Sequence, residues 1–119
     1  MQSYRDLIVW KKGIELVTEI YALTTKFPKE EIYGLISQMR RASVSIPSNI
    51  AEGYARKHSK EYVQFVRIAF GSGAELETQL EITKKLRFAT LEDIERVEKL
   101  LTEVMKMLNK FISALVAKP

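Results

Sequence analysis

Residues 40–57, RRASVSIPSNIAEGYARK, decide how many helices the chain forms, because they join two helical segments across Pro47. A proline inside a helix removes one backbone hydrogen bond and clashes with the carbonyl four residues earlier, which costs about 3 kcal/mol. The segment is therefore either a true break, with Asn49 capping a new helix, or one kinked helix. A single helical stripe continues across the proline at Met39, Ser43, Ile46, Ile50 and Tyr54. Because a loop has no reason to keep that phase, the sequence predicts one helix from about Ile32 to Arg56, kinked at Pro47.

Helical periodicity also marks the segments on either side of this stretch. The first helix is predicted from about Tyr4 to Lys26, since the residue before Pro28 is pushed out of the helical region. Its apolar stripe comprises Leu7, Trp10, Ile14, Val17 and Tyr21. The third helix is predicted from about Ser59 to Leu86, with Ser59 as its N-cap. One face of that helix carries Tyr62, Phe65, Ile68, Ala69, Ser72, Leu76, Leu80 and Thr83.

The fourth helix follows Thr90, which with Asp93 three residues later nearly matches a capping box. Its seam alternates spacings of four and three at Val97, Leu101, Val104, Leu108, Phe111 and Leu115. No strand-like alternation competes with the four segments, and the connections between them are short. The sequence therefore predicts an all-α, up-down-up-down antiparallel four-helix bundle that forms a single domain over residues 1–119.

Composition narrows the class of protein. A chain of 119 residues with 46% hydrophobic residues is suited to one folded domain, and the lack of cysteine excludes disulfides and thiolate metal sites. The N-terminus has only a short apolar run before Lys11, unlike a signal peptide. No stretch approaches the roughly 18–20 apolar residues of a membrane span. We therefore expect a cytoplasmic protein that does not enter a membrane.

Positive charge is concentrated in the first half of the sequence. The net charge is +4, and residues 1–60 hold 10 Lys/Arg against 6 Asp/Glu, whereas residues 61–119 hold 9 of each. Such an excess attracts polyanions, although five basic residues on a helical surface are more often a solvated face. The candidate contacts to RNA or DNA are the basic residues around the opening stretch: Arg40, Arg41, Arg56, Lys57 and Lys60.

Small residues in the second and third helices form a second candidate surface. In the second helix they lie with polar neighbours at Ser45, Ser48, Asn49, Glu52 and Gly53, and in the third helix at Gly71 and Gly73. A glycine inside a helix costs about 1 kcal/mol relative to alanine, so a close helix contact is a reasonable compensation. Three interpretations stay open: packing between the two helices of one chain, contact between subunits in an oligomer, and a ligand or nucleic-acid surface.

Catalytic and metal-binding patterns are lacking in the sequence. A di-iron bundle needs Glu-x-x-His pairs, but the only histidine is His58 and position 55 is alanine. Glu77 and Glu81 are one turn apart, and lysines follow Glu81 at pairing distance, which indicates surface ion pairs. Glu52 is the acid with the most unusual setting, and a structural hydrogen-bonding role suits it better than general-base chemistry. We expect no enzyme, no metal and no cofactor.

Four blocks of the sequence resemble a bacterial four-helix-bundle family, that of the 23S rRNA intervening-sequence proteins. They are YRDLIVWKKGIELV (4–17), FPKEEIYGLISQMRRASVSIPSNIAEGYAR (27–56), SKEYVQFVRIAFGSGAELETQLEI (59–82) and MLNKFISAL (107–115). The family also looks similar to the accessory variability determinant of diversity-generating retroelements, a pentameric barrel that binds nucleic acid and assists a reverse transcriptase. One departure is Gly73, where family members usually carry leucine.

The resemblance implies a cytoplasmic homo-oligomer, commonly a pentamer, without established enzymatic activity. It implies RNA or DNA binding only loosely, and five copies of this mildly basic chain carry a charge of about +20. The expected function is therefore a non-enzymatic, nucleic-acid-associated accessory protein. The alternative is an oligomeric module that binds a protein partner and has no role with nucleic acid.

Overall fold

The computed structural model of the chain describes residues 3–56 and 58–117. Within these residues the chain forms no strand and four α-helices: α1 (Ile8–Thr25), α2 (Leu35–Arg56), α3 (Ser59–Leu86) and α4 (Leu91–Val116). Short 3-10 helices at Tyr4–Asp6 and Lys29–Glu31 precede α1 and α2. The predicted all-α fold is confirmed.

The buried side of α1 differs from the predicted stripe. Its core-facing residues are Val9, Gly13, Leu16, Ile20, Leu23 and Thr24. Ile14 and Tyr21, which belong to the predicted stripe, are exposed, so that prediction was wrong by about one residue in phase. The helix also begins at Ile8 rather than near Tyr4, because Tyr4–Asp6 form a separate turn. The hydroxyl of Ser3 caps that turn by accepting from the amide of Arg5 (3.1 Å).

Helix α2 continues without interruption through Pro47, which confirms a single helix up to Arg56, while the kink at Pro47 stays a prediction. The proline packs on Gly13 of α1, where an added Cβ would lie 3.3 Å from the Cβ of Pro47. The helix begins at Leu35, three residues later than predicted. Glu31 lies before it and caps it, since its carboxylate accepts from the amide of Leu35 (3.1 Å).

The ends of α3 and α4 follow known capping rules, with one correction. Arg87 ends α3 in the left-handed conformation (φ 58°), and its amide donates to the carbonyl of Lys84 (3.2 Å). The hydroxyl of Thr90 accepts from the amide of Asp93 (3.1 Å), so the predicted cap of α4 is confirmed. The predicted Ser59 cap was wrong: Ser59 is the first residue of α3, and His58 occupies the cap position without a side-chain bond.

The helices pack in the cyclic order α1, α2, α3, α4 around one hydrophobic core. The end of one helix lies beside the start of its neighbour, as the end of α1 and the start of α4 show. There the ammonium of Lys26 lies 2.8 Å from the carboxylate of Asp93. Its hydrogen bond lowers the pKa of the Asp93 carboxyl. This arrangement confirms the antiparallel four-helix bundle. The α4 seam is confirmed, with Phe111 only partly buried. Among the described helices none has the length and apolar content needed to cross a membrane.

Candidate nucleic-acid and assembly surfaces

The side chain of Arg40 forms part of the contact between α1 and α2. Its Nε donates to the hydroxyl of Thr24 (2.9 Å), and its guanidinium lies 4.4 Å from the ring centroid of Tyr21. The hydroxyl of Thr24 in turn donates to the carbonyl of Ile20 (2.7 Å), so the arginine ends a short, partly buried hydrogen-bond chain. This candidate phosphate contact therefore already has a structural role.

Arg56 is also engaged within the chain. Its guanidinium lies 3.0 Å from the carboxylate of Glu52, 4.0 Å from that of Glu61 and over the ring of Phe65 (5.3 Å). Glu52, the acid singled out in the sequence, is thus an exposed ion-pair partner one turn away. Since exposed pairs of this kind contribute little to stability, Arg56 can exchange its carboxylate for another anion.

The candidate basic residues do not form one cluster. Arg41 and Lys60 are exposed and form no ion pair with any carboxylate of the described residues, and Lys57 lies outside the described residues. Arg56 lies fifteen positions after Arg41, which is about 22 Å at a helical rise of about 1.5 Å per residue. Arg40 and Arg41 therefore lie near the start of α2, whereas Arg56 and Lys60 flank the turn between α2 and α3.

The small residues of α2 lie where α3 approaches most closely. The hydroxyls of Ser45 and Ser72 are 2.8 Å apart, and the amide of Asn49 donates to both the carbonyl and the hydroxyl of Ser45 (2.8 and 2.9 Å). A Cβ added to Gly53 would lie 2.8 Å from Cδ1 of Tyr62 and 2.9 Å from the Cβ of Phe65. Ser45, Asn49 and Gly53 therefore serve packing within the chain, while Ser48 and Glu52 point to solvent.

The two candidate glycines of α3 have different surroundings. A Cβ on Gly73 would overlap the sulfur of Met105, so this glycine admits a side chain of α4 rather than α2. Met105 therefore occupies the space that a side chain at position 73 would need. Gly71 is exposed, and no described atom lies within 4 Å of the position of its missing Cβ. Gly71 therefore does not take part in the packing of α2 on α3.

Exposed apolar side chains surround the start of α2 and form what we call the α2 entry surface: Tyr21, Ile32, Tyr33 and Val44. Tyr33 is 95% exposed and Ile32 is 55% exposed. An open groove of about 540 Å³ runs along Tyr21, Ile32 and Val44, and a polar groove beside Tyr33 shares Arg41 and Ser45 with it. Sequence reasoning missed this surface because it counted Ile32 and Tyr33 as part of the helix.

The titratable side chains of the described residues form ion pairs and hydrogen bonds rather than a cluster of metal ligands. No group of three His, Cys, Asp or Glu residues in the part of the chain described by the structure can hold a metal ion. The side-chain amide of Gln79 donates to the carboxylate of Glu75 (3.2 Å). The ammonium of Lys84 lies 3.6 Å from the carboxylate of Glu81 and 2.8 Å from that of Glu98. Burial, followed by the nearby Tyr54, raises the pKa of Tyr62 to about 12, and its hydroxyl has no described partner.

Comparisons with known proteins agree with this architecture. The model of the family described as 23S rRNA-intervening sequence protein matches residues 5–110. Among solved structures, the chain is similar to a protein of unknown function from the S23 ribosomal protein family of Bacteroides thetaiotaomicron. That match has a TM-score of 0.82 and 23% sequence identity, and it covers 89% of this chain and 96% of the other. No curated protein sequence matches the chain.

Proposed function

The chain belongs to the 23S rRNA-intervening sequence protein family, and from that premise we propose that it is a non-enzymatic homo-oligomer, a pentamer by family resemblance, that associates with RNA or DNA. The observation that carries the proposal is the α2 entry surface, where apolar side chains adjoin the unpaired Arg41. A side chain as exposed as Tyr33 gains by burial in an interface, because tyrosine offers a large apolar area and a polar tip. Assembly also multiplies the basic charge.

Electrostatics supports the second part of the proposal. Each chain contributes a net charge of +4, so a ring of five carries about +20. Binding to a phosphate backbone then releases condensed counterions, and its affinity falls steeply as salt rises. The candidate contacts are Arg40, Arg41, Arg56, Lys57 and Lys60, of which Arg41 and Lys60 lie free on the described surface.

An oligomeric module that binds a protein partner is the second candidate. It is favoured because two of the candidate arginines already contact other side chains of the chain. Arg40 contacts Thr24 and Tyr21, and Arg56 pairs with Glu52. Fewer cations are therefore free than the sequence indicates. Capture of a specific protein after nuclease treatment, without any affinity of the purified protein for RNA or DNA, is the result that would select this candidate.

The α2 entry surface is tested by measuring solution mass for a variant with Ile32→Glu and Tyr33→Glu. Because both side chains are largely exposed, we expect an unchanged helical content and a fall in mass to that of one chain. Val116→Glu is the matched control, since Val116 is 56% exposed in the last turn of α4, away from the start of α2. An unchanged mass of the double variant, or an equal loss in the control, would show that assembly does not use this surface.

A further inference from the structure

Charge is separated along the long axis of the bundle, whose extents are 48 × 22 × 21 Å. Dividing each helix at its midpoint gives two halves. The half that contains the turn between α2 and α3 is called the basic half, and its described residues are 3–16, 46–56, 58–72 and 104–117. The other half comprises residues 17–45 and 73–103.

The two halves differ in the sign of their net charge. The described residues of the basic half include eight Lys/Arg and four Asp/Glu, a net charge of +4. The opposite half has nine Lys/Arg and eleven Asp/Glu, a net charge of −2. The separation arises because antiparallel packing brings together the start of α1, the turn after α2 and the end of α4, which are far apart in the sequence.

The cations of the basic half that are free to meet an anion include Lys60, Arg67, Lys106 and Lys110. Each is exposed and forms no ion pair with a carboxylate of the described residues. Lys106 and Lys110 lie one turn apart, about 6 Å along α4, and residues 104–117 contain no acidic side chain. Like charges at this spacing repel each other, and nothing on the same half-helix relieves that repulsion.

Helix dipoles do not account for this placement. Cations are favoured at the end of a helix and acids at its start, and α4 has two acids in its first turn but no cation in its last turn. In α1 the preference does not hold, because Lys11 lies near its start and its first turn has no acid, whereas α3 follows it with Glu61 in the first turn and Lys84 and Lys85 in the last, although Lys60 also lies at its start. The positive charge therefore follows the end of the bundle rather than the direction of each helix.

We propose that the basic half is the surface that binds the phosphate backbone of RNA or DNA, with Lys60, Arg67, Lys106 and Lys110 as contacts. This inference rests on the proposed function and deepens it, since it adds three residues to the candidate contacts and moves the site away from Arg41. The Tyr, Trp and Phe rings in the described basic half are at least partly buried, and His58 has the only exposed ring there, so bases find little on which to stack. The binding is therefore independent of sequence, because phosphate contacts carry no base information.

The test compares two variants that each lose two positive charges. One carries Lys106→Gln and Lys110→Gln in the basic half, and the other carries Lys29→Gln and Lys85→Gln in the opposite half. All four lysines are exposed and lack a carboxylate partner among the described residues, and glutamine keeps a similar helix propensity. Affinity for a labelled single-stranded RNA of mixed sequence is measured by fluorescence anisotropy between about 50 and 200 mM salt. Helical content and solution mass are checked for each variant.

We expect the basic-half variant to lose about tenfold or more in affinity at about 50 mM salt and to reduce the salt slope by about 1.4, because two phosphate contacts are removed. The matched variant should stay within about twofold, since its net charge is the same but its lysines are remote. Equal losses in both variants, or no loss in the basic-half variant, would overturn the inference and leave the proposed function intact. Failure of the unmodified protein to bind RNA at low salt would instead overturn both.

Discussion

Replacing Gly53 by alanine tests whether the small residues of α2 exist to let α3 approach. The added Cβ would lie 2.8 Å from a ring carbon of Tyr62, 2.9 Å from the Cβ of Phe65 and 3.3 Å from the carbonyl oxygen of Tyr62. Two of these neighbours are a backbone atom and a Cβ, which cannot move aside without shifting α3. Gly71→Ala is the matched control, because no described atom lies within 4 Å of its new Cβ.

The expected changes in the free energy of unfolding combine two opposing effects, helix propensity and overpacking. Alanine stabilises a helix interior by about 1 kcal/mol relative to glycine, whereas overpacking a close contact costs about 1–3 kcal/mol. We therefore expect Gly71→Ala to raise the free energy of unfolding by about 1 kcal/mol. The free energy of unfolding of Gly53→Ala should lie about 1–3 kcal/mol below that of Gly71→Ala. The assay is urea unfolding followed by circular dichroism at one protein concentration, because the proposed assembly would make stability concentration-dependent. Equal stabilisation by both substitutions would refute the close-packing explanation of Gly53.

Two further predictions concern single side chains. Tyr62→Phe should raise the free energy of unfolding by about 1 kcal/mol, because it removes a buried hydroxyl that has no described partner. Since folding raises the pKa of Tyr62 from 10.0 to about 12, the stability associated with its proton is complete below about pH 10 and lost as the pH rises through about 12. That loss should be absent from alkaline unfolding curves of Tyr62→Phe, and its persistence would assign it to another group. Arg40→Gln should lower the free energy of unfolding by about 1–2 kcal/mol, because it loses the hydrogen bond to Thr24. The control Arg41→Gln should change the free energy of unfolding by less than about 0.5 kcal/mol. Similar values for the two variants would contradict the structural role of Arg40.

The helices could be predicted wherever one apolar face dominates the sequence. The α4 seam was correct because its apolar residues occupy a single stripe, and the continuity of α2 followed from the unbroken phase across Pro47. In α1 apolar residues cover more than one face, so two stripes fit the sequence equally well. Only packing selects Leu16 and Ile20 for the core and leaves Ile14 exposed.

The candidate surfaces were less predictable because they depend on side chains from different helices. The basic residues near Pro47 are neighbours in sequence, yet about 22 Å of helix separates Arg41 from Arg56. Conversely, Lys60 and Lys110 share one half of the bundle although 50 positions separate them in the sequence. Local sequence also gave no sign that Arg40 would bond to Thr24, a contact that needs α1 and α2 in place.

The most direct test of a nucleic-acid-binding homo-oligomer is the solution mass of the unmodified protein, measured by light scattering at low and high salt with and without single-stranded RNA. We expect about 70 kDa for the free protein, five times the 13.7 kDa of one chain. At low salt the RNA should add its own mass to that assembly, and at high salt the two should separate as screening weakens phosphate contacts. A mass of one chain at every salt concentration, unchanged by RNA, would contradict both assembly and nucleic-acid binding.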